Sequence, residues 1–553
     1  MIAMRMQHIA LIPFLLVSAA GGSAQTASDG TIQVTTRLVQ ISVVVRDKNG
    51  PVAGLTKENF TVLDNGKPQR IDVFSATDSR NRKQSSVGPI LPGFASNTIN
   101  AAGEVPNTAT VILFDMMNSS NDGTSQTDAL GRQTNNVPRL GAASNDLTAI
   151  NDQKDAIKQL VSFLRTIREG DRVALFVLGY QLHVVQDFTG DPNTLVRAAQ
   201  RIKALDQAGI EVSSMAQLAA LLEPPPVSNE DGTVTAVGTP GFADSITTLS
   251  AITRATATSD AFEAIARHMS GLPGRKNLVW MSAGFPFKPV VAQRRLGVQA
   301  QAPVETPDDF SAQLNRASKA LNDANVALYP VDYQGLNGAY PEVMMRLASA
   351  TGGNVTYNTN DLKEAVTTAI ADGDVSYTLG FYSADKREDG KLHDLKVKVD
   401  RSDIDLHYRS GYYSTARVLS EKQRKAVVSE LLGSDVNSSQ IGLVVTGQPD
   451  PADPGSYRIT INVDASHLDF TQKGDRRTGQ LSLVMRLDSS KSKNPLVGPI
   501  PLSFTEEQFQ NVLKHGFVIR QAVQAGSNDR LRIIVQEQST GMAGAVWLQL
   551  LRR

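Results

Sequence analysis

The chain has no cysteine among its 553 residues. That excludes disulfides, thiol catalysis and thiolate metal sites. It has no net charge either. Lys+Arg and Asp+Glu are both 55, so no global field draws it to nucleic acid or to an anionic membrane. Beyond Ala24 no apolar run approaches the roughly 20 residues that cross a bilayer. Several catalytic signatures are missing too: Gly-x-x-x-x-Gly-Lys-Ser/Thr, Gly-x-Gly-x-x-Gly, His-Glu-x-x-His and Gly-x-Ser-x-Gly. Without them the sequence offers no phosphate-cradling loop, dinucleotide fingerprint, zincin helix or nucleophile elbow.

What is present begins with a leader. Arg5 gives a short cationic start, Ile9–Val17 an apolar core, and Ser18–Ala24 a run of small residues. This is the architecture of a secretory signal peptide cleaved after Gly22-Ser-Ala24; an uncleaved membrane anchor is the runner-up, its apolar run falling short of the ~20 residues that span a bilayer. The expected protein is therefore exported to the periplasm, the outer surface or the medium, with no transmembrane segment once residues 1–24 are removed. At this length roughly three or four domains are expected.

The pattern then changes along the chain. Thr36–Arg46 is rich in β-branched residues, and Asn65-Gly66 lies between the apolar runs Phe60–Leu63 and Ile71–Phe74. Asn-Gly in that setting signals a hairpin, so residues 30–75 read as a small β unit. Residues 76–107 are polar and read as a linker. From 108 to 374, strands at Val111–Phe114, Arg172–Leu178, Val184–Phe188, Asn277–Met281 and Val326–Val331 alternate with helices. The helices are placed at Asp152–Ile167, Asn193–Leu205, Ser259–Met269, Phe310–Asn322, Glu342–Ala350 and Asp361–Ala371. This alternation predicts an α/β fold with a doubly wound, mainly parallel sheet. Polar insertions near Glu211–Asp244 and Pro286–Asp309 interrupt it. Strands return over 375–415 and are expected to pair with the N-terminal β unit, so that one β-sandwich forms from both flanks of an inserted α/β domain. Residues 416–553 read as a further, mainly-β domain.

One stretch stands out for chemistry: Ala109-Thr-Val-Ile-Leu-Phe-Asp115-Met-Met-Asn-Ser-Ser120. A continuous apolar run reads as a buried parallel strand. Ligands of open α/β sheets sit beyond the carboxyl ends of such strands. Asp115, with hydroxyls and an amide close behind, offers the hard oxygens that a magnesium-type cation takes. The same Asp can also simply cap the strand or start a turn, and both readings stand. His183, in a turn, and His268, on an amphipathic helix, read as structural or surface residues rather than ligands. The pairs Asp308-Asp309 and Asp403/Asp405 read as solvated rather than as glycosidase carboxylates.

Taken together, several short motifs resemble the von Willebrand factor type A domain, and more closely the exported type A-related proteins of acidobacteria. They are Val43-Val-Val-Arg-Asp47, Asn59-Phe-Thr-Val62 with Asp64-Asn-Gly66, Leu113-Phe-Asp115 with Asn118, and Gln186-Asp-Phe-Thr189. Gly271-Leu-Pro-Gly-Arg-Lys-Asn277, Ser282-Ala-Gly-Phe-Pro286, Tyr377-x-Leu-Gly-Phe381 and Ser410-Gly-Tyr-Tyr413 complete the set, so the likeness spans about residues 30–415. It implies a divalent-cation site built on Asp-x-Ser-x-Ser, a Thr from a second loop and an Asp from a third. Here Asp115 and Ser119 match, Met117 replaces the first Ser, Thr256 is the second-loop candidate, and Ser282-Ala283-Gly284 lacks the third carboxylate. Asn118, through its amide oxygen, or Ser120 would have to substitute. The implied ion is Mg2+ or Mn2+ on Asp115, Asn118, Ser119 and Thr256. The resemblance further implies a non-catalytic binding or scaffold protein that presents edge loops, such as Asn121–Asn145, to a protein partner. A cell-envelope hydrolase with its site at the domain junction, and a purely structural envelope protein, are the competing classes.

Overall fold

The computed structural model describes residues 38–78, 93–98, 108–118, 143–168, 171–179, 181–205, 227–228, 234–235, 242–272, 274–283, 310–333, 342–358, 361–383, 391–414, 419–489, 496–526 and 528–551. The leader, Ser119, Ser120, most of the loop that follows them and most of both insertions lie outside these residues. No described helix is long and apolar enough to cross a membrane.

The chain opens with β1 (Leu38–Asp47), β2 (Phe60–Asp64), β3 (Lys67–Gln69) and β4 (Val73–Asp78). The Asn-Gly hairpin forms between β2 and β3, with Asp64 facing Lys67. Asn65 at φ 48° and Gly66 at φ 78° are both left-handed, as a two-residue turn that follows strand twist requires. β5 (Phe94–Ser96) falls inside the stretch expected to be a linker. It is a strand because it pairs antiparallel with residues 444–446 of the last domain.

The α/β unit follows, with β6 (Ala109–Asp115), α1 (Ala143–Leu164), β7 (Val173–Leu178), β8 (Leu182–Thr189), α2 (Pro192–Leu205), α3 (Phe242–Met269) and β9 (Lys276–Ser282). It continues through α4 (Phe310–Asp323), β10 (Val326–Asp332), α5 (Glu342–Thr351) and α6 (Leu362–Asp374). Its five-stranded sheet has the order β10-β9-β6-β7-β8. All neighbours are parallel except β8, which turns back antiparallel on β7. Side chains alternate across β6. Ile112 and Phe114 join α1, α2 and α6 in one apolar cluster, while Val111 and Leu113 join α3, α4 and α5 in the other. Both faces of the sheet are thus covered, and a strand buried on both faces must be apolar throughout.

β11 (Val375–Tyr382), β12 (Leu392–Val399), β13 (Asp405–His407) and β14 (Gly411–Tyr413) return to the first β unit. β1 lies between β13 and β11, with β4 beyond β11, and β2 lies between β12 and β3. The two sheets enclose one core of Ile41, Val43, Val62, Tyr377, Leu379 and Val397, among others. The last domain contains α7 (Glu421–Gly433), β15 (Leu443–Pro449), β16 (Ser456–Val463), β17 (Arg476–Leu487), β18 (Leu496–Thr505), α8 (Glu506–His515), β19 (Phe517–Gln524), β20 (Arg530–Glu537) and β21 (Ala543–Gln549). One of its sheets is β19-β16-β15-β5, and the other runs through β21-β20-β17 with β18 alongside β17.

Where the α/β unit meets the first β domain, one carboxylate gathers partners from both. Asp372, at the end of α6, is fully buried. It accepts from Arg46 of β1, from Tyr329 Oη of β10 (2.8 Å) and from His407 Nδ1 of β13 (2.9 Å). Burial works to raise its pKa, but His407, Arg275 and Arg46 outweigh it and hold the carboxyl below its usual range. Removing one member of a buried, paired set costs about 3–5 kcal/mol. We expect that loss for Asp372→Ala, measured as a lowered urea midpoint. Because folding lowers this pKa, the contribution is complete above the ordinary carboxylate range and fades as acid protonates Asp372. The deficit of the variant should therefore shrink toward low pH.

Candidate functional site

Parallel pairing on both sides of β6 carries Asp115 to the carboxyl edge of the sheet, beside Leu178 of β7. Its side chain is fully buried. Oδ1 accepts the backbone N–H groups of Met117 and Asn118, each at 3.0 Å, the local turn that an Asp at a strand end makes with its own chain. Oδ2 accepts from Asn118 Nδ2 (2.7 Å), Trp280 Nε1 (2.9 Å) and Ser282 Oγ (3.0 Å). The backbone carbonyl of Asp115 accepts from Tyr333 Oη at 3.2 Å, and the Tyr333 ring stacks on Phe114 with centroids 5.7 Å apart. β9 supplies both Trp280 and Ser282, so the parallel register of β6 and β9 fixes this shell as firmly as it fixes the sheet.

Asn118 bridges to α3. Its Nδ2 also donates to Thr258 Oγ1 at 3.0 Å, and Thr258 in turn donates to the Arg254 carbonyl at 2.9 Å. Thr256, the residue expected from a second loop, is instead a half-buried helix residue inside α3. The threonine brought to Asp115 through Asn118 is Thr258, two positions on. Thr258 faces the sheet with Ala261 and Phe262, whereas Thr256 does not share their helical face. Met117 is buried and offers no hard oxygen, and Ala283 stands where a third carboxylate would be needed. Ser119 and Ser120 lie outside the described residues.

The electrostatics follow from this geometry. Burial pushes the Asp115 carboxyl above its usual range, and the bonds from Asn118, Trp280 and Ser282 pull it only part of the way back. The nearby Arg254 guanidinium, itself buried, is lowered by desolvation and partly restored by the charge of Asp115. Sequence reasoning missed Trp280 and Arg254. The signal available for Trp280 was its indole N–H, which in a fully buried strand must find an acceptor.

A carboxylate has about four lone-pair directions, and here five donors already occupy it. Trp280 Nε1 and the two backbone N–H groups can donate only, so a cation on Asp115 would have to compete with donors that the carboxylate already satisfies. What remains close by is the neutral Oδ1 of Asn118, too little charge to offset the dehydration of a dication. Among the described residues no group of three or more His, Asp or Glu comes together as a metal cluster. Among the described residues, which do not include Ser119 and Ser120, this edge does not fit a resident Mg2+ or Mn2+.

The other residues weighed from sequence sit elsewhere. His183 is exposed on β8, and Asp403 and Asp405 are exposed near the first β domain. His268 is buried at the foot of α3, next to Asp187. Asp308 and Asp309 lie outside the described residues.

No family model matches the chain, and no curated protein matches it. Among solved structures it is similar to an aerotolerance-related membrane protein from Bacteroides fragilis, at 13% identity over 48% of this chain and 98% of that one, with a TM-score of 0.22. It is also similar to the conserved hypothetical protein BatB from Bacteroides thetaiotaomicron, at 11% identity over 48% of this chain and 97% of that one, TM-score 0.23. A von Willebrand factor type A protein from Catenulispora acidiphila matches at 9% identity over 87% of this chain and 74% of that one, TM-score 0.22. Scores this low transfer no function.

The shell itself makes a prediction. Trp280→Phe keeps an aromatic ring against Phe262, with which Trp280 packs edge-on at 5.2 Å, and deletes one donor to Asp115. A lost hydrogen bond to an acidic group costs about 1–3 kcal/mol. The expected result is a lower melting temperature with the fold retained by circular dichroism.

Proposed function

We propose that this is an exported, non-catalytic binding or scaffold protein. Its α/β unit is a doubly wound, type A-like domain that presents the loops of its carboxyl edge to a protein partner without a divalent cation. The observation that carries this reading is the filled acceptor shell of Asp115, which braces the edge with donors from the turn after β6 and from β9, while Asn118 also donates to Thr258 of α3. A braced edge holds its loops in place, and loops on a rigid sheet are where recognition is concentrated. The leader supports export. The missing catalytic motifs favour a binding role over hydrolysis.

The test uses the chain from Gln25 onward, stripped with chelator and titrated with Mg2+, Mn2+ and Ca2+ by calorimetry. No saturable heat is expected, and the melting temperature should be the same with chelator and with excess Mg2+. Saturable binding that Asp115→Ala abolishes would overturn the cation-free edge. For the partner, envelope proteins retained by the immobilised chain in chelator should be lost when residues 121–141 are replaced by a short Gly-Ser linker. Turnover of peptides or glycans by the same preparation would replace the binding role with the hydrolase reading.

A further inference from the structure

His268 is the last residue but one of α3 and is 4% exposed. Its two ring nitrogens point in different directions, and each meets an oxygen. Nε2 lies 3.0 Å from Asp187 Oδ1 on β8, and Nδ1 lies 3.1 Å from the backbone carbonyl of Asn437 in the last domain. A carbonyl can only accept, and so can an ionised carboxylate. Both bonds therefore exist together only when both nitrogens carry a proton, that is, as the imidazolium. Phe188 stacks on the ring at 5.4 Å with planes 3° apart, and Phe176 lies at 5.4 Å on a tilt, so the imidazole itself is shielded from water while the Asp187 side chain is 48% exposed.

The acceptor on the far side is itself held. Arg532 of β20 is fully buried and donates to the carbonyls of Leu431 (2.8 Å) and Val436 (2.7 Å) and to Asn437 Oδ1 (3.0 Å). Val436 is inserted into the apolar cluster of the α/β unit. Next to it, Ser439 Oγ donates to the His268 carbonyl (2.6 Å) and accepts the Gly271 N–H (2.8 Å). The approach is so close that a Cβ at Gly271 would stand 2.2 Å from the Ser439 carbonyl. Residues 436–439 are thus a finger of the last domain clasped by the foot of α3.

We propose that His268 is a proton-controlled latch between the α/β domain and the C-terminal β domain, closed as the imidazolium bridging Asp187 and Asn437 and slackened when the proton leaves. On deprotonation one nitrogen becomes a lone pair facing an oxygen, so one of the two bonds is replaced by repulsion. The direction of titration agrees. Burial works to lower the His268 pKa, but the charge and hydrogen bond of Asp187 outweigh it and raise it above 6.5. A group raised by folding stabilises fully below its unfolded pKa and loses that contribution as pH climbs through the folded value. The latch therefore opens on the alkaline side.

The surrounding charges act in both senses. Arg532 repels the imidazolium and is itself pushed down by burial to about 9. Arg267, beside His268 on α3, pairs with Glu430 of α7 and approaches Glu263. Burial raises both carboxyls, so folding favours their protonated forms and their ionisation costs stability as pH climbs, in the same sense as the latch; His268→Gln leaves them in place and separates the two. Lys276, donating to the Leu272 carbonyl just beyond the foot, is pushed down by burial to about 7. It acts in the opposite sense, because losing its proton relieves a buried charge.

Hydrogen exchange of the full mature chain, corrected for intrinsic rates, tests this between about pH 5.5 and 8.5, the range bracketing a histidine raised above its ordinary value. Protection of amides 436–443 should fall by about tenfold or more across that range, a one-unit shift in effective pKa. In His268→Gln protection should be low and should lack that fall. In Asp187→Asn, which removes a partly exposed counter-charge and leaves the packing, the fall should move to lower pH. A wild-type profile flat with pH overturns the latch, and so does the same fall persisting in His268→Gln. Should His268→Gln fail to fold, an unmoved midpoint in Asp187→Asn overturns it equally.

Discussion

The pairing of β1 with β11 is the constraint on which the remaining architecture rests. Its register, from Leu38 opposite Tyr382 to Val43 opposite Tyr377, brings together residues more than three hundred positions apart and closes the first β domain around the α/β unit. Both ends of that unit are therefore tied to one small sandwich. Closing so long a loop costs chain entropy, though only logarithmically in its length. A continuous apolar core offsets it, since β1 alone contributes Val39, Ile41, Val43 and Val45 to the shared cluster. Asp372 then fixes the angle at which the two bodies meet, because its partners Arg46, His407 and Tyr329 satisfy it together only in one arrangement. Apolar contact alone would tolerate some sliding; a buried carboxylate with partners from both bodies does not.

Asp115 shows how a carboxylate can be kept at a sheet edge without an ion. A divalent cation and a set of hydrogen-bond donors are alternative ways of stabilising the same buried acid. The cation concentrates charge in one removable atom, whereas the donors distribute it over Met117, Asn118, Trp280 and Ser282, which are part of the fold. The second solution couples β6, β9 and α3 through side chains that belong to the fold. Burial still raises the carboxyl, so the arrangement is sustained by packing of the strands and not by the acid alone.

Much of this was legible in the residues, and the parts that were not have physical reasons. The strand ending in Asp115 could be read because a sheet buried on both faces leaves only apolar side chains along it. The β2–β3 hairpin could be read because Asn65 and Gly66 tolerate positive φ. The long helix α3 was read only from Ser259 onward. Its first half carries Ser245, Thr247, Thr248, Ser250, Thr253 and Thr256, residues with poor helix propensity, and tertiary context overrides propensity. The resemblance alone pointed to Thr256; inside the helix it is Thr258 that reaches Asn118. β5 was invisible for another reason: three residues have no periodicity, and Phe94–Ser96 become a strand only because β15 offers an unpaired edge. Trp280 reads first as core in an apolar strand; only the need of its buried indole N–H for an acceptor hints at the polar role.

The absence of cysteine gains its meaning at the joints between bodies. A protein read as exported, and made of several domains, commonly staples them with disulfides; here the joints are instead buried polar or ionic groups clasped from two sides. Asp372 joins the first β domain to the α/β unit, and His268 with Arg532 joins the α/β unit to the last domain. Asn97 ties the segment before the α/β unit to that last domain through the Ser438 and Ile441 carbonyls and the Leu443 N–H. Such clasps are directional, as a disulfide is, but they differ in being reversible and in depending on protonation. Asp372 is held below the usual carboxylate range by its neighbours, whereas His268 is raised above 6.5 by Asp187. The two joints therefore respond to opposite changes of pH, the first weakening toward acid and the second toward alkali.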